Sequence, residues 1–243
     1  CRYCFLQGMY PSAHYVLFLN YEDFIADIET TLAEHAPDED LYFYSGYDCD
    51  SLALERYSAF VAHYLPHFRR WPNAYVELRT KSVNIAPLTA IEPVHNAIVA
   101  WSLTPQVIAE AVEAKTPSVR RRLEAAAKLQ ALGWRIGLRF DPLIVTEDWE
   151  SHYRALIEQC SQFLDIEKVH SVSFGPMRFP NEMYKKILKL YPDEKLFAGP
   201  LVQLGRLTSY PRSLEETMSR FVGDLLVEHF GRPKLFQCVP EGW

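Results

Sequence analysis

At 243 residues, 49% hydrophobic, 14% aromatic and 23% charged, the chain has the length and apolar content to bury one core, which excludes disorder, collagen-like repeats and disulfide-stapled miniproteins. Its 25 Lys+Arg against 31 Asp+Glu give a net charge of −6, so no overall basic field draws it to nucleic acid or an anionic membrane, and any nucleic-acid contact must be a local patch. The five cysteines, Cys1, Cys4, Cys49, Cys160 and Cys238, are odd in number and thinly spread, the usage of a reducing, cytoplasmic compartment.

Residue 1 is a cysteine with no initiator methionine or leader before it, which reads as a start inside a longer protein. Asn20 precedes Phe24, Ile28 and Leu32 at four-residue spacing, predicting a helix. Runs of β-branched and aromatic residues at Leu41–Tyr47, Ala74–Thr80, Asn96–Leu103, Trp134–Phe140 and His170–Pro176 predict strands covered on both faces. Thr104-Pro105 and Thr116-Pro117 each open a helix; the second carries Val119, Leu123, Ala126 and Leu129 on one stripe and is stopped by Gly133. Trp149, Tyr153, Leu156, Cys160 and Phe163 share a helix face, which places Cys160 in the core. Ser213 and Glu216 have capping-box spacing ahead of Met218, Phe221, Val222 and Leu225. No apolar run approaches the roughly 18–20 residues of a membrane span, so no membrane partner is expected.

Strand and helix alternate about five times, as in an open doubly wound sheet or a whole or partial barrel. In both architectures the chemistry sits at the carboxyl ends of the strands, which directs attention to Cys1–Gly8, Gly46–Asp50, Lys81, Ser102–Thr104 and Asp141-Pro142. No G-x-S-x-G elbow, P-loop, H-E-x-x-H or G-x-G-x-x-G motif occurs, so hydrolase, NTPase, zincin and simple dinucleotide-binding readings lack support. His63 and His67 have the spacing of two metal ligands on a helix, but Pro66 interrupts it and no third ligand accompanies them. Arg69-Arg70, Arg120–Arg122 and Lys185-Lys186 read as helix-surface charges.

The opening C-R-Y-C is the sharpest feature. A Cys-x2-Cys pair serves half a zinc site, a redox couple, haem attachment or an iron–sulfur loop. Zinc needs a second pair of ligands, yet Cys49, Cys160 and Cys238 are isolated; haem attachment needs a histidine where Phe5 stands; and a redox couple sits directly before a helix, whereas the helix here waits for Asn20. What remains is a cluster-binding loop with one thiolate outside the numbered chain.

Cys1-Arg2-Tyr3-Cys4-Phe5-Leu6-Gln7-Gly8 resembles the last two cysteines of the radical-SAM Cys-x3-Cys-x2-Cys loop, in the C-x-Y-C-Y-L-Q form of spore photoproduct lyases. Collinear likenesses follow at Asn20–Asp23, Phe43–Asp50, Arg79-Thr80-Lys81, Ala100-Trp101-Ser102, Arg122–Leu138, Met177-Arg178-Phe179 and Leu204-Gly205-Arg206. On these residues the chain is identified as a member of the spore photoproduct lyase-like family of radical-SAM proteins.

The resemblance implies a partial (β/α)6 TIM-type barrel, its first strand and first cluster cysteine lying before Cys1, and residues 1–243 forming a single domain of radical-SAM core and C-terminal family extension. It implies a 4Fe-4S cluster on Cys1 and Cys4, with S-adenosylmethionine cleaved to a 5′-deoxyadenosyl radical. Phe5 would flank cluster and adenosine; Ser45 and Gly46 would meet the methionine amino group; Lys81, Ser102 and Thr104 would lie near its carboxylate and ribose. Arg206 belongs to the family's lesion-binding hairpin, and damaged DNA and a flavodoxin or ferredoxin electron donor are the implied partners. The nominal reaction is repair of the thymine-dimer spore photoproduct to two thymines.

Departures accompany the likeness. Tyr47 falls where the lyases place a hydrogen-donating cysteine, Phe5 replaces the second loop tyrosine, and only Tyr3 of the relay remains. Cys49 shares the parity of Tyr47 if the strand continues, making it a candidate shifted donor. Asp141 stands where the lyases have a small residue. A radical-SAM paralogue with a different substrate, and a non-catalytic zinc-binding or interaction module, are the alternative readings.

Overall fold

The computed structural model describes residues 1–4, 6–9, 14, 16–46 and 49–237. The five apolar runs become β1 (Leu41–Tyr44), β2 (Ala74–Thr80), β3 (Ala97–Ser102), β4 (Arg135–Leu143) and β5 (Val169–Pro176). Three short strands, β6 (Arg178–Pro180), β7 (Val202–Leu204) and β8 (Leu207–Ser209), form a separate antiparallel sheet in which β7 and β8 make the hairpin the resemblance implies around Arg206, and β9 (Leu235–Gln237) follows. Strands of three residues carry too little alternation to be recognised by period.

The parallel sheet runs β1-β2-β3-β4-β5-β9. A doubly wound sheet reverses its strand order at a switch point; this one never reverses, and each strand is added on the same side as the last. The result is a curled half-barrel, which resolves the two architectures left open by the alternation in favour of the partial barrel. Helices cover its convex face. All six residues of β3 are buried, and Trp101, Phe140 and Leu78 are sealed between sheet and helices. Tyr153 and Tyr210 bury phenols there that accept hydrogen bonds from the amides of Ile144 (2.8 Å) and Val145 (3.0 Å).

Several local expectations change. A single helical turn, Leu6–Met9, follows the cysteine pair, where the first helix was expected only after Asn20. β1 ends at Tyr44 and Ser45-Gly46 turn away, so the expected strand to Tyr47 is shorter; Tyr47 itself lies outside the described residues. The helix Arg212–Phe230 begins after Pro211, so Ser213 sits inside its first turn instead of capping it. Ser118, following Pro117, caps the helix Val119–Ala131 through its Oγ. Cys160 is buried as expected, and burial pushes its thiol pKa up. The main correction concerns Arg122, which was expected on the surface. It is fully buried, because positions 119, 122, 123 and 126 share one helix face.

The concave face is polar. Arg139 on β4 reaches over β3 to Glu77 on β2 (2.6 and 3.1 Å) and also donates to the Ser171 carbonyl and hydroxyl (3.2 and 3.0 Å). One layer nearer the carboxyl ends, Arg79 pairs with Asp141, which accepts from Ser173 Oγ at 2.9 Å. Contacts between β2 and β4 across an intervening strand require a strongly curled sheet and small residues between them. Ala100 and Gly137 meet that need; a Cβ on Gly137 would stand 2.9 Å from Arg139 Nη2. Burial alone would raise the Asp141 pKa, but Arg79, Ser173 and Arg139 hold it below the usual carboxylate range.

Candidate active site at the carboxyl ends of the strands

The cysteine loop is fixed by its own side chains. Gln7 Nε2 donates to the carbonyls of Cys1 (2.7 Å) and Cys4 (3.1 Å), and the Cys4 amide donates back to the Cys1 carbonyl (3.1 Å). This turns the segment into a compact hook. Arg2 donates its amide to Val112 O (2.8 Å), pairs with Glu194 (3.3 Å) and lies 4.0 Å over the Tyr191 ring, while Tyr191 OH donates to Gln7 Oε1 (2.6 Å). The hook is therefore clamped between the helix Gln106–Val112 and the helix Asn181–Leu190 with its following residue. Cys1 and Cys4 are half-buried free thiols on it.

Tyr3 projects from the hook into the barrel mouth, where its hydroxyl donates to Glu113. The Glu113 carboxylate is fully buried and also receives Thr104 Oγ1 (3.1 Å) and Arg122, and has Lys81 Nζ at 3.8 Å. Burial and the adjacent Glu113 charge push the Tyr3 phenol pKa well up, so Tyr3 keeps its proton. Burial would raise Glu113 itself, but Lys81, Arg122 and Tyr3 hold it below the usual range. Lys81 also stands 5.3 Å over the Tyr3 ring. Tyr3, Lys81 and Thr104, all expected at the strand ends, meet here; Glu113 joins them without a sequence signal, and Arg122 comes from the buried helix face rather than the surface.

Lys81 is set at the end of β2 by Asp50, whose two oxygens accept from Thr80 Oγ1 (2.6 Å) and the Lys81 amide (2.7 Å), and also from the amides of Leu52 and Ala53 (3.0 and 2.9 Å). Ser45 hydrogen-bonds Ser51 Oγ (2.7 Å) and the Glu77 carbonyl (3.1 Å). Gly46 lies so close to β2 that a Cβ there would fall 2.7 Å from Arg79 Cβ and 2.8 Å from Arg79 O. Gly46→Ala is therefore expected to cost about 1–3 kcal/mol by overpacking, read as a thermal midpoint lowered by several degrees; an unchanged midpoint would show that the turn relaxes freely. Ser102 Oγ accepts from Arg79 Nε at 3.3 Å, and its carbonyl accepts from Arg122 at 3.1 Å.

Other expected site residues stand apart. Because β1 stops at Tyr44, the parity argument does not carry to Cys49; its thiol is exposed in the following bend and points back to Ser45 O at 3.4 Å. Arg206 is exposed at the β7–β8 turn of the antiparallel sheet, its carbonyl accepting from the Asn181 amide at 3.0 Å. Phe5 lies outside the described residues. Among the described residues no group of three His, Cys, Asp or Glu is placed to hold a metal ion, and His67 instead contacts Arg70 at 2.8 Å. No described helix is long and apolar enough to cross a membrane.

A curled parallel sheet with a cysteine hook clamped over its carboxyl ends defines a partial TIM-type barrel with one polar mouth. The family model for spore photoproduct lyase matches residues 1–200; the chain belongs to the spore photoproduct lyase family. The spore photoproduct lyase of Clostridium acetobutylicum is 28% identical over 200 residues, covering 81% of this chain and 58% of the relative. That of Bacillus subtilis is 25% identical over 201 residues with the same coverage, 81% and 58%. The chain thus spans a little over half the length of these curated relatives. Among solved structures, a spore photoproduct lyase double mutant with bound AdoMet and dinucleoside spore photoproduct superposes with a TM-score of 0.85 at 19% identity, over 98% of this chain and 72% of that one. At that identity the likeness establishes the fold.

Proposed function

We propose that this chain is the core of a radical-SAM enzyme related to spore photoproduct lyase, its nominal reaction the repair of the thymine-dimer spore photoproduct to two thymines. One observation carries the reading: the half-buried thiols of Cys1 and Cys4 flank Tyr3, which reaches into the same barrel mouth as Lys81. The donor set suits the implied cofactor, since two reduced thiols on one rigid turn are what a cluster loop presents.

Cys1 and Cys4 would hold two corners of a 4Fe-4S cluster. When bound, the cluster and S-adenosylmethionine supply reductive cleavage of the sulfonium to methionine and a 5′-deoxyadenosyl radical that takes hydrogen from the substrate. The protein binds, orients and excludes water. Lys81 would meet the methionine carboxylate with a compact cation, Ser45 and Gly46 would lie by the amino group, and Ser102 and Thr104 by the ribose. By the family likeness Phe5 would flank the cluster and adenosine, and Arg206 would serve the lesion from the hairpin. Tyr3 has a hydroxyl hydrogen to return to a radical, and Cys49 remains a candidate donor only if the loop that carries it moves inward. Residues 1–243 form one domain in this reading, with a cytoplasmic setting and a flavodoxin- or ferredoxin-type electron donor.

The substrate is tested by incubating the full-length reduced enzyme with dinucleoside spore photoproduct and measuring thymidine products. Conversion supports repair. Formation of 5′-deoxyadenosine without thymine release would favour the second reading, a paralogue with another substrate, for which phenylalanine at position 5 and the net charge of −6 speak.

A further inference from the structure

Glu113 gathers partners from four separate segments: Tyr3 in the cysteine hook, Lys81 after β2, Thr104 after β3 and Arg122 in the helix Val119–Ala131. Its side chain and that of Arg122 are fully buried. Arg122 alone would neutralise it, so a purely structural carboxylate would need neither Tyr3 nor Lys81. The distances divide the partners. Arg122, Tyr3 and Thr104 occupy the carboxylate oxygens at hydrogen-bond range, whereas Lys81 Nζ stays at 3.8 Å. The ammonium is thus held by charge attraction and by the face of the Tyr3 ring, and can turn its N–H groups towards a ligand.

We infer that Glu113 is a positioning residue for S-adenosylmethionine, fixing the Lys81 ammonium beside the cysteine hook so that the cation for the methionine carboxylate and the cluster ligands are set by one side chain. The inference rests on the radical-SAM reading above. It has an electrostatic basis as well. Lys81 is faced by Arg122 and Arg79 as well as by Glu113 and Asp50; burial lowers its pKa, and Glu113 is the principal group opposing that. Without Glu113 the ammonium would face two guanidinium groups with Asp50 alone opposing them, and nothing would hold it at this point of the mouth. Its grip on a carboxylate would go with it.

The test uses the full-length reconstituted protein and equilibrium dialysis with two probes, S-adenosylmethionine and its decarboxylated analogue. Glu113→Gln is expected to weaken S-adenosylmethionine binding by about tenfold or more while changing the decarboxylated analogue little. Lys81→Ala should erase the preference for the carboxylate, and the double variant should bind no worse than Lys81→Ala alone, since residues acting through one another are not additive. Should Glu113→Gln fail to fold, Glu113→Asp, which keeps the charge on a shorter arm, is expected to retain part of the preference. Equal weakening of both probes, no weakening of either, or additive losses in the double variant would overturn the positioning role. Wild-type protein that binds neither probe would instead overturn the radical-SAM reading itself.

Discussion

Arg139→Met is expected to lower the free energy of unfolding by about 3–5 kcal/mol, because it leaves the buried Glu77 carboxylate without its counter-ion. The pair is nearly dry, with side-chain exposures of 2% for Arg139 and 5% for Glu77. It also spans β2 to β4 inside the curl, so its loss removes a tie between strands that are not neighbours in the sheet. At this chain length each kcal/mol moves the thermal midpoint by about 2–4 °C, so the shift should exceed several degrees in a melting experiment. Combining it with Glu77→Leu should recover much of the loss, since removing both charges of a buried pair is often near neutral. A single variant as stable as wild type would mean that water reaches the pair and the concave face is not sealed as described.

Lys81→Ala is expected to weaken S-adenosylmethionine binding by about thirtyfold or more, the effect of about 2 kcal/mol from truncating one partner of a desolvated charge pair. Lys81 suits this role because Asp50 fixes its backbone, Glu113 and the Tyr3 ring hold its ammonium, and its side chain retains 20% exposure towards the mouth. The fold should survive, as Arg122 still neutralises Glu113. Equilibrium dialysis reads the change. Unaltered affinity would move the carboxylate site elsewhere on the strand ends.

Much of the frame was legible in the sequence. The strand runs needed both faces covered, so apolar β-branched stretches at Ala74–Thr80 and Asn96–Leu103 marked β2 and β3 closely. Alternation alone leaves barrel and doubly wound sheet open, because that choice resides in strand order; the family resemblance implies the partial barrel, and the strand order bears it out. The C-R-Y-C hook and Lys81 could be found because strand ends concentrate chemistry. Glu113 could not be found that way, since it follows a helix and acquires its role only when Tyr3, Thr104 and Arg122 converge on it. One signal for Arg122 was available: an arginine three residues after Val119 on an apolar stripe needs a buried counter-ion. The Arg79–Asp141 pair is similarly hidden, as its members are 62 residues apart and meet only through the curl.

In the proposed function the hook carrying Cys1, Tyr3 and Cys4 serves cluster-dependent cleavage of S-adenosylmethionine. The most direct measurement is anaerobic iron–sulfur reconstitution of the full-length protein, followed by reduction with S-adenosylmethionine present and chromatography for 5′-deoxyadenosine. The expected result is a brown protein with about four irons per chain that forms 5′-deoxyadenosine, and loss of both in Cys1→Ala and Cys4→Ala. A colourless, air-stable protein holding one zinc and forming no 5′-deoxyadenosine would contradict it.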